Sequence, residues 1–152
     1  MSVQGEIDSQ INTPGASPAK PGILVVDDEP SVLNCMCMAL RRKGYRVLGS
    51  ASAGEALQQM GCGEPIDLLI TDFSLPGEGG MGVAAAFRKR RPDAPVLIAS
   101  GAPIDDELPE GFSTLLKPFT LSSLCEEVEL ALMAQAVWHG NGNAKRCGNA
   151  DG

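Results

Sequence analysis

With 152 residues, 43% of them hydrophobic and 20% charged, the chain has the size and composition of one packed domain with tails and leaves little room for a second. Aromatics make up only 4%, so core volume must come from Leu, Ile, Val, Ala and Met, which suits a sheet covered by helices better than an aromatic-rich β-sandwich. A formal net charge of −7 argues against direct nucleic-acid binding, which needs clustered cations, and no segment approaches the ~20 apolar residues of a membrane-spanning helix.

Residues 1–21 carry Gly5, Pro14, Gly15, Pro18 and Pro21 among polar residues, a composition that predicts a flexible tail. They lack the basic, apolar and small-residue order of a signal peptide, so a cytoplasmic location is expected. Residues 22–135 then alternate short apolar runs with amphipathic segments. Ile23-Leu24-Val25-Val26 reads as a strand buried on both faces of a parallel sheet. Pro30 opens a helix with Leu33, Met36 or Cys37, and Leu40 on one face, and Gly44 ends it.

Cys35 and Cys37 on this helix do not make a zinc pair, because positions i and i+2 do not face each other and no second Cys/His pair follows. The five cysteines show no disulfide framework, as expected of a reducing compartment. Tyr45 to Gly49 is the second strand candidate. Ser52 and Glu55 have capping-box spacing and start a helix through Ala56, Leu57 and Met60, with Gly61 and Gly63 as stop signals.

Ile66 to Thr71 is the third strand, running into Asp72. Past a turn at Pro76-Gly77, Val83, Ala84 and Phe87 fall at helical spacing. The basic run Arg88-Lys89-Arg90-Arg91 closes that helix, where it complements the negative end of the macrodipole. Val96 to Ala99 is the fourth strand, ending at Ser100-Gly101, and Leu115-Leu116 lies in a fifth, ending at Lys117-Pro118. Leu121, Leu124, Val128, Ala131 and Leu132 form the stripe of a last helix, and residues 136–152, with the lone His139, read as a second flexible tail.

Five strands alternating with helices call for a parallel sheet with right-handed crossovers, helices on both faces and ligands beyond the carboxyl ends of the strands. Asp27 and Asp28 follow the first strand, Asp72 the third, Ser100 the fourth and Lys117 the fifth, so all five polar groups arrive at one edge. Taken singly, the aspartates could be helix caps or turn residues, Ser100 a loop end and Lys117 a solvated side chain. Taken together, three carboxylates repel at roughly 4 kcal/mol per close pair for an effective dielectric near 20. A hard divalent cation removes that repulsion, and the oxygen-only set suits Mg²⁺. The same ion would neutralise an incoming phosphate while an uncoordinated oxygen of Asp72 attacks phosphorus. Lys117 offers a compact positive charge and Ser100 a hydroxyl donor to the phosphoryl oxygens, contacts that exist only when the phosphate is present and can therefore bias a conformational equilibrium.

Val25-Val26-Asp27-Asp28-Glu29-Pro30, Thr71-Asp72-Phe73-Ser74-Leu75-Pro76-Gly77, Ala99-Ser100-Gly101 and Leu116-Lys117-Pro118-Phe119 together resemble the receiver domains of two-component response regulators, over about residues 22–134. The resemblance implies a flavodoxin-like (βα)5 doubly wound α/β fold of strand order 2-1-3-4-5. It implies Asp72 as acceptor of a phosphoryl group from a histidine kinase or histidine phosphotransfer protein. It also implies Mg²⁺ held by Asp28, Asp72 and the backbone carbonyl of Ser74, with Asp27 acting mainly through water, and Ser100 and Lys117 relaying the phosphoryl group's presence to a downstream protein effector.

The chain departs from the family pattern between Ser100 and Lys117, where Pro103 and Pro109 crowd a short interval and predict a fourth helix reduced to one or two turns around Ile104 to Leu108. Thr114 stands where many receivers carry an aromatic switch residue, so dimerisation through the usual output surface is not expected and the chain is read as a monomer. Ser74 and Ala102 occupy places that tune dephosphorylation in the family. The competing functions are a receiver-like interaction module that is never phosphorylated and a phosphatase with an aspartyl-phosphate intermediate. The full set of five polar residues counts against the first. Ser74 counts against the second, because such enzymes commonly place an acid two positions after the nucleophile.

Overall fold

The computed structural model describes residues 20–77, 79–104 and 108–134. Its strands are β1 (Gly22–Val26), β2 (Arg46–Ser50), β3 (Leu68–Asp72), β4 (Val96–Ser100) and β5 (Phe112–Leu116), all paired in parallel in the order β2-β1-β3-β4-β5. Every residue of β1, β3 and β4 is buried, whereas β2 and β5 are only partly so. That split is what continuous Val/Ile/Leu runs in the middle of a sheet and mixed runs at its edges should give.

The helices are α1 (Pro30–Arg42), α2 (Ala53–Met60), α3 (Gly79–Arg90) and α4, the described helix at 121–134. Alternate residues of each strand feed two separate cores. Leu24, Val26, Leu69 and Ile98 pack under Ala56 of α2 and Val83 and Phe87 of α3. Ile23, Val25, Leu68, Ile70 and Leu97 pack under Met36 and Leu40 of α1 and Leu124 and Val128 of α4. Each such side chain taken fully out of water contributes about 1.5–3 kcal/mol, so helices on both faces are required and the doubly wound flavodoxin-like α/β sheet of order 2-1-3-4-5 follows.

Local signals act largely as their chemistry dictates. Pro30 stands at the start of α1, Ser52 Oγ accepts from the Glu55 amide at the start of α2, and Gly77 takes a positive φ of 78° in the turn before α3. Glu55 reaches back one residue further than a capping box requires and accepts from the Ala51 amide at 2.8 Å. Both Met36 and Cys37 are buried while Cys35 is exposed, so the two cysteines do not share an environment.

Several boundaries differ from expectation, among them the start of the second strand at Arg46 rather than Tyr45. The third strand starts at Leu68 rather than Ile66, and Asp67 just before it bonds both ways to Gly22, its carboxylate accepting from the Gly22 amide and its own amide donating to the Gly22 carbonyl. The second ends at Ser50 rather than Gly49, its carbonyl accepting from the Asp27 amide at 3.1 Å. Leu121 is exposed, so the buried stripe of α4 begins at Leu124. The basic run ending α3 braces the fold. Arg88 donates to the carbonyls of Pro92 and Glu110 and lies 5.3 Å over Phe112, Arg90 donates to Met60, and Arg91 donates to Ile66 beside Asp67. The short fourth helix expected around Ile104 to Leu108 runs through 105–107, outside the described residues, as do the tail segments 1–19 and 136–152. Among the described residues no helix is long and apolar enough to cross a membrane.

Candidate functional site

The strand order reverses at β1 and β3, whose carboxyl ends are adjacent, and a crevice opens there in any sheet of this topology. Asp27 follows β1 directly and Asp72 is the last residue of β3, so the register Val26 opposite Thr71 sets the two acids side by side. Asp28, one residue further, joins them, and each of the three carboxylates has an oxygen within 4.8 Å of the other two. Asp27 is 1% exposed and Asp72 7%, while Asp28 faces solvent.

Lys117 follows β5, two strands from β3, and its side chain crosses β4's end to reach the acids. Its Nζ stands 3.0 Å from Asp72 Oδ1 and 3.6 Å from Asp27 Oδ2. The Lys117–Pro118 peptide is cis. Burial pulls the Lys117 ammonium toward neutrality, but the Asp72 hydrogen bond and the charges of Asp27 and Asp72 outweigh it and hold its pKa above the usual lysine range. The pKa of Asp27 is raised as well, which for a carboxyl disfavours the charged form. Burial raises its pKa, the Glu29 amide and Lys117 offset part of that, and the charges of Asp72 and Asp28 add to it.

One lysine against three acids leaves the rim with excess negative charge. Asp27 Oδ1 accepts from the Glu29 amide at 2.9 Å, while Oδ2 is buried with the Lys117 ammonium at 3.6 Å and no hydrogen bond, an environment that a bound cation would complete. The donor set is all oxygen, which fits Mg²⁺ and gives no foothold to softer metals.

Ser100 closes β4 in the place expected, but its hydroxyl is turned into its own loop. It donates to the Ala102 carbonyl at 2.7 Å and accepts from the Ala102 amide at 3.1 Å. Ser74 is exposed two residues beyond Asp72 and contributes no side-chain atom to the acidic group. Sequence reasoning missed an open groove of about 630 Å³ beside the lysine, walled by Val32, Cys35 and Met36 of α1 and by Lys117, Phe119 and Leu121. Its two walls come from opposite ends of the chain, so no local pattern announces it.

A doubly wound sheet that gathers three acids, a lysine and a serine at its carboxyl rim defines a receiver-type signalling domain. The chain matches the response regulator receiver domain family over residues 23–129 and belongs to it. It is 32% identical over 117 residues to the transcriptional regulatory protein PrrA of Mycobacterium tuberculosis, an alignment covering 74% of this chain and 50% of PrrA. It is likewise 32% identical over 120 residues to the response regulator receiver protein CpdR of Brucella abortus, covering 74% of this chain and 97% of CpdR. Among solved structures it is similar to the response regulator TrrA of Thermotoga maritima in complex with Mg²⁺ and BeF, with a TM-score of 0.64, 29% identity, and coverage of 73% of this chain and 98% of that one. The chain spans about half the length of PrrA and matches CpdR almost end to end.

Proposed function

We propose that this chain is a phosphorylated switch of a two-component phosphorelay, in which Asp72 accepts a phosphoryl group from a histidine kinase or a histidine phosphotransfer protein. The observation that carries this reading is the pairing of a mostly buried Asp72 with Lys117 at 3.0 Å inside a three-carboxylate group in which one buried oxygen has no hydrogen bond. A purely structural ion pair would not need two further acids beside it.

Mg²⁺ would be held by Asp28, Asp72 and the Ser74 carbonyl, with Asp27 acting mainly through water, and when bound it neutralises charge on the phosphoryl oxygens. The protein's own part is positional. The free oxygen of Asp72 forms the new P–O bond as the P–N bond to the donor imidazole breaks, and the imidazole nitrogen keeps that electron pair. Lys117 moves its ammonium from the Asp72 carboxylate to a phosphoryl oxygen, and Ser100 gives up the Ala102 carbonyl to donate to another. Both exchanges occur only in the phosphorylated state, so they supply the differential contact that shifts partner binding. The groove bordered by Lys117 is the surface next to Asp72 on which a donor would lie. The output is a downstream protein effector bound by the monomer, whereas PrrA, by its name, is a transcriptional regulator.

Incubation with acetyl phosphate and Mg²⁺, followed by intact mass measurement, tests this. Wild type gains one phosphoryl group, and the gain disappears in Asp72→Ala and on chelation of the metal. A wild type that stays unlabelled, or an Asp72→Ala variant that labels equally, would overturn it.

A further inference from the structure

The backbone around Asp72 is clamped from three sides. The Phe73 amide donates to the Ala99 carbonyl at 2.8 Å, which ties the peptide after Asp72 to β4. The Thr71 hydroxyl, fully buried, donates to the Asp72 carbonyl at 3.2 Å. From above, the Gly80 amide donates to the Phe73 carbonyl at 3.0 Å, so the first turn of α3 rests on the next peptide, Phe73–Ser74.

Gly80 is buried, and the space where a side chain would begin is already taken. A Cβ there would lie 2.1 Å from the Asp72 carbonyl oxygen, 2.9 Å from its carbonyl carbon and 2.9 Å from Phe73 Cα. All three are backbone atoms. No rotamer change relieves such contacts, and either α3 must lift or the Asp72–Phe73 peptide must rotate. That peptide follows the residue whose carboxylate meets Lys117 Nζ at 3.0 Å, and Ser74 lies one residue beyond it.

We propose that Gly80 is a positioning residue for the phosphoryl-accepting carboxylate: the missing side chain lets α3 press the Asp72–Phe73 peptide into the one plane from which Asp72 faces Lys117 and the neighbouring acids. The inference rests on the reading of Asp72 given above. It adds that the geometry of the site is set from the helix that follows it as well as from the strand that carries it. Displacements of about 1 Å at a reacting group are enough to cost orders of magnitude in rate.

Gly49 supplies the control. A Cβ there would also be crowded, at 2.9 Å from Cys37 Sγ, but it meets only side-chain atoms, of Cys37 and Leu33 under α1. The full chain would be compared as wild type, Gly80→Ala, Gly49→Ala and Thr71→Val. Thermal melts would establish folding, acetyl phosphate labelling would be followed against Mg²⁺ concentration, and Mg²⁺ affinity would be measured by calorimetry without any phosphodonor. The expected result is that Gly80→Ala stays folded at the assay temperature and loses at least tenfold in labelling rate at saturating Mg²⁺, with weakened Mg²⁺ binding. Gly49→Ala should lose less stability, since only side chains must shift, and should label and bind Mg²⁺ as wild type does. Gly80→Ala within twofold of wild type on both readouts, or an equal loss in Gly49→Ala, overturns the proposal.

If Gly80→Ala does not fold, Thr71→Val decides, since it loosens the same carbonyl without a clash. Slower labelling supports the proposal and wild-type labelling overturns it. A wild type that takes no phosphoryl group sinks the functional reading instead, and the calorimetric Mg²⁺ affinities of the same variants then decide the positional claim.

Discussion

The strand β3 has an aspartate near each end, and the two could hardly be treated more differently. Asp67, just before the strand, is satisfied: its Oδ2 accepts from the Gly22 amide at 2.8 Å, its own amide donates to the Gly22 carbonyl at 2.7 Å, and Arg91 lies 3.6 Å from its other oxygen. Around it Arg46 pairs with Glu64 at 3.1 Å and donates to the Lys20 and Pro65 carbonyls. At the far end, among the described residues, Asp72 shares a single lysine with Asp27, whose buried Oδ2 has that ammonium at 3.6 Å but no hydrogen bond, and sits beside the exposed Asp28. The same residue type on the same strand closes a fold at one rim and remains available for chemistry at the other. Unmet electrostatic demand, rather than the presence of acids, distinguishes the end proposed for phosphoryl transfer.

The sharpest way to break this contrast is at Lys117. Lys117→Met removes the only cation that faces Asp72 and Asp27 among the described residues, and acetyl phosphate labelling should slow by at least tenfold, about 1.4 kcal/mol of barrier or more. Unchanged labelling kinetics would mean that the lysine is merely a structural partner.

Adding metal should separate the rims next. Mg²⁺ at a hundred times its dissociation constant should stabilise the wild type by about 2.7 kcal/mol, and that gain should vanish in Asp72→Ala. A melting temperature insensitive to Mg²⁺ would place the unmet charge elsewhere.

Asp67→Ala tests the closed rim. It strands the Gly22 amide and should cost about 2 kcal/mol in denaturant unfolding while leaving the labelling rate at the wild-type value. A labelling defect in this variant would show that the two ends are coupled.

The smallest effect falls between the rims. Burial pushes the Cys37 thiol above its ordinary pKa, only partly offset by Arg41, so the fold holds that proton longer than the unfolded chain does. Its contribution to stability is therefore present below about pH 9 and lost as pH rises through the folded value. Melts across alkaline pH should show part of the wild-type decline missing in Cys37→Ala. Alkylation at neutral pH should mark the exposed Cys35 and Cys62 well before Cys37.

Much of this architecture is local. The runs 23–26 and 96–99, the cap at Ser52 and the proline at 30 each express a preference that acts within a few residues, so the alternation of strand and helix, and with it the doubly wound sheet, is readable along the chain. The placement of Asp27, Asp72, Ser100 and Lys117 at strand ends is also local, and parallel topology alone then delivers them to one rim. What could not be read is which acid is buried, where the Ser100 hydroxyl points, that Asp67 is spent on Gly22, and that Gly80 lies against the Asp72 carbonyl. Each of these depends on atoms 2 to 45 residues apart meeting at hydrogen-bond or contact distance. Composition and periodicity determine which face of an element is apolar. Only the packed structure decides how two faces seat against each other, because seating is fixed by excluded volume and by the cost of leaving a buried polar atom without a partner.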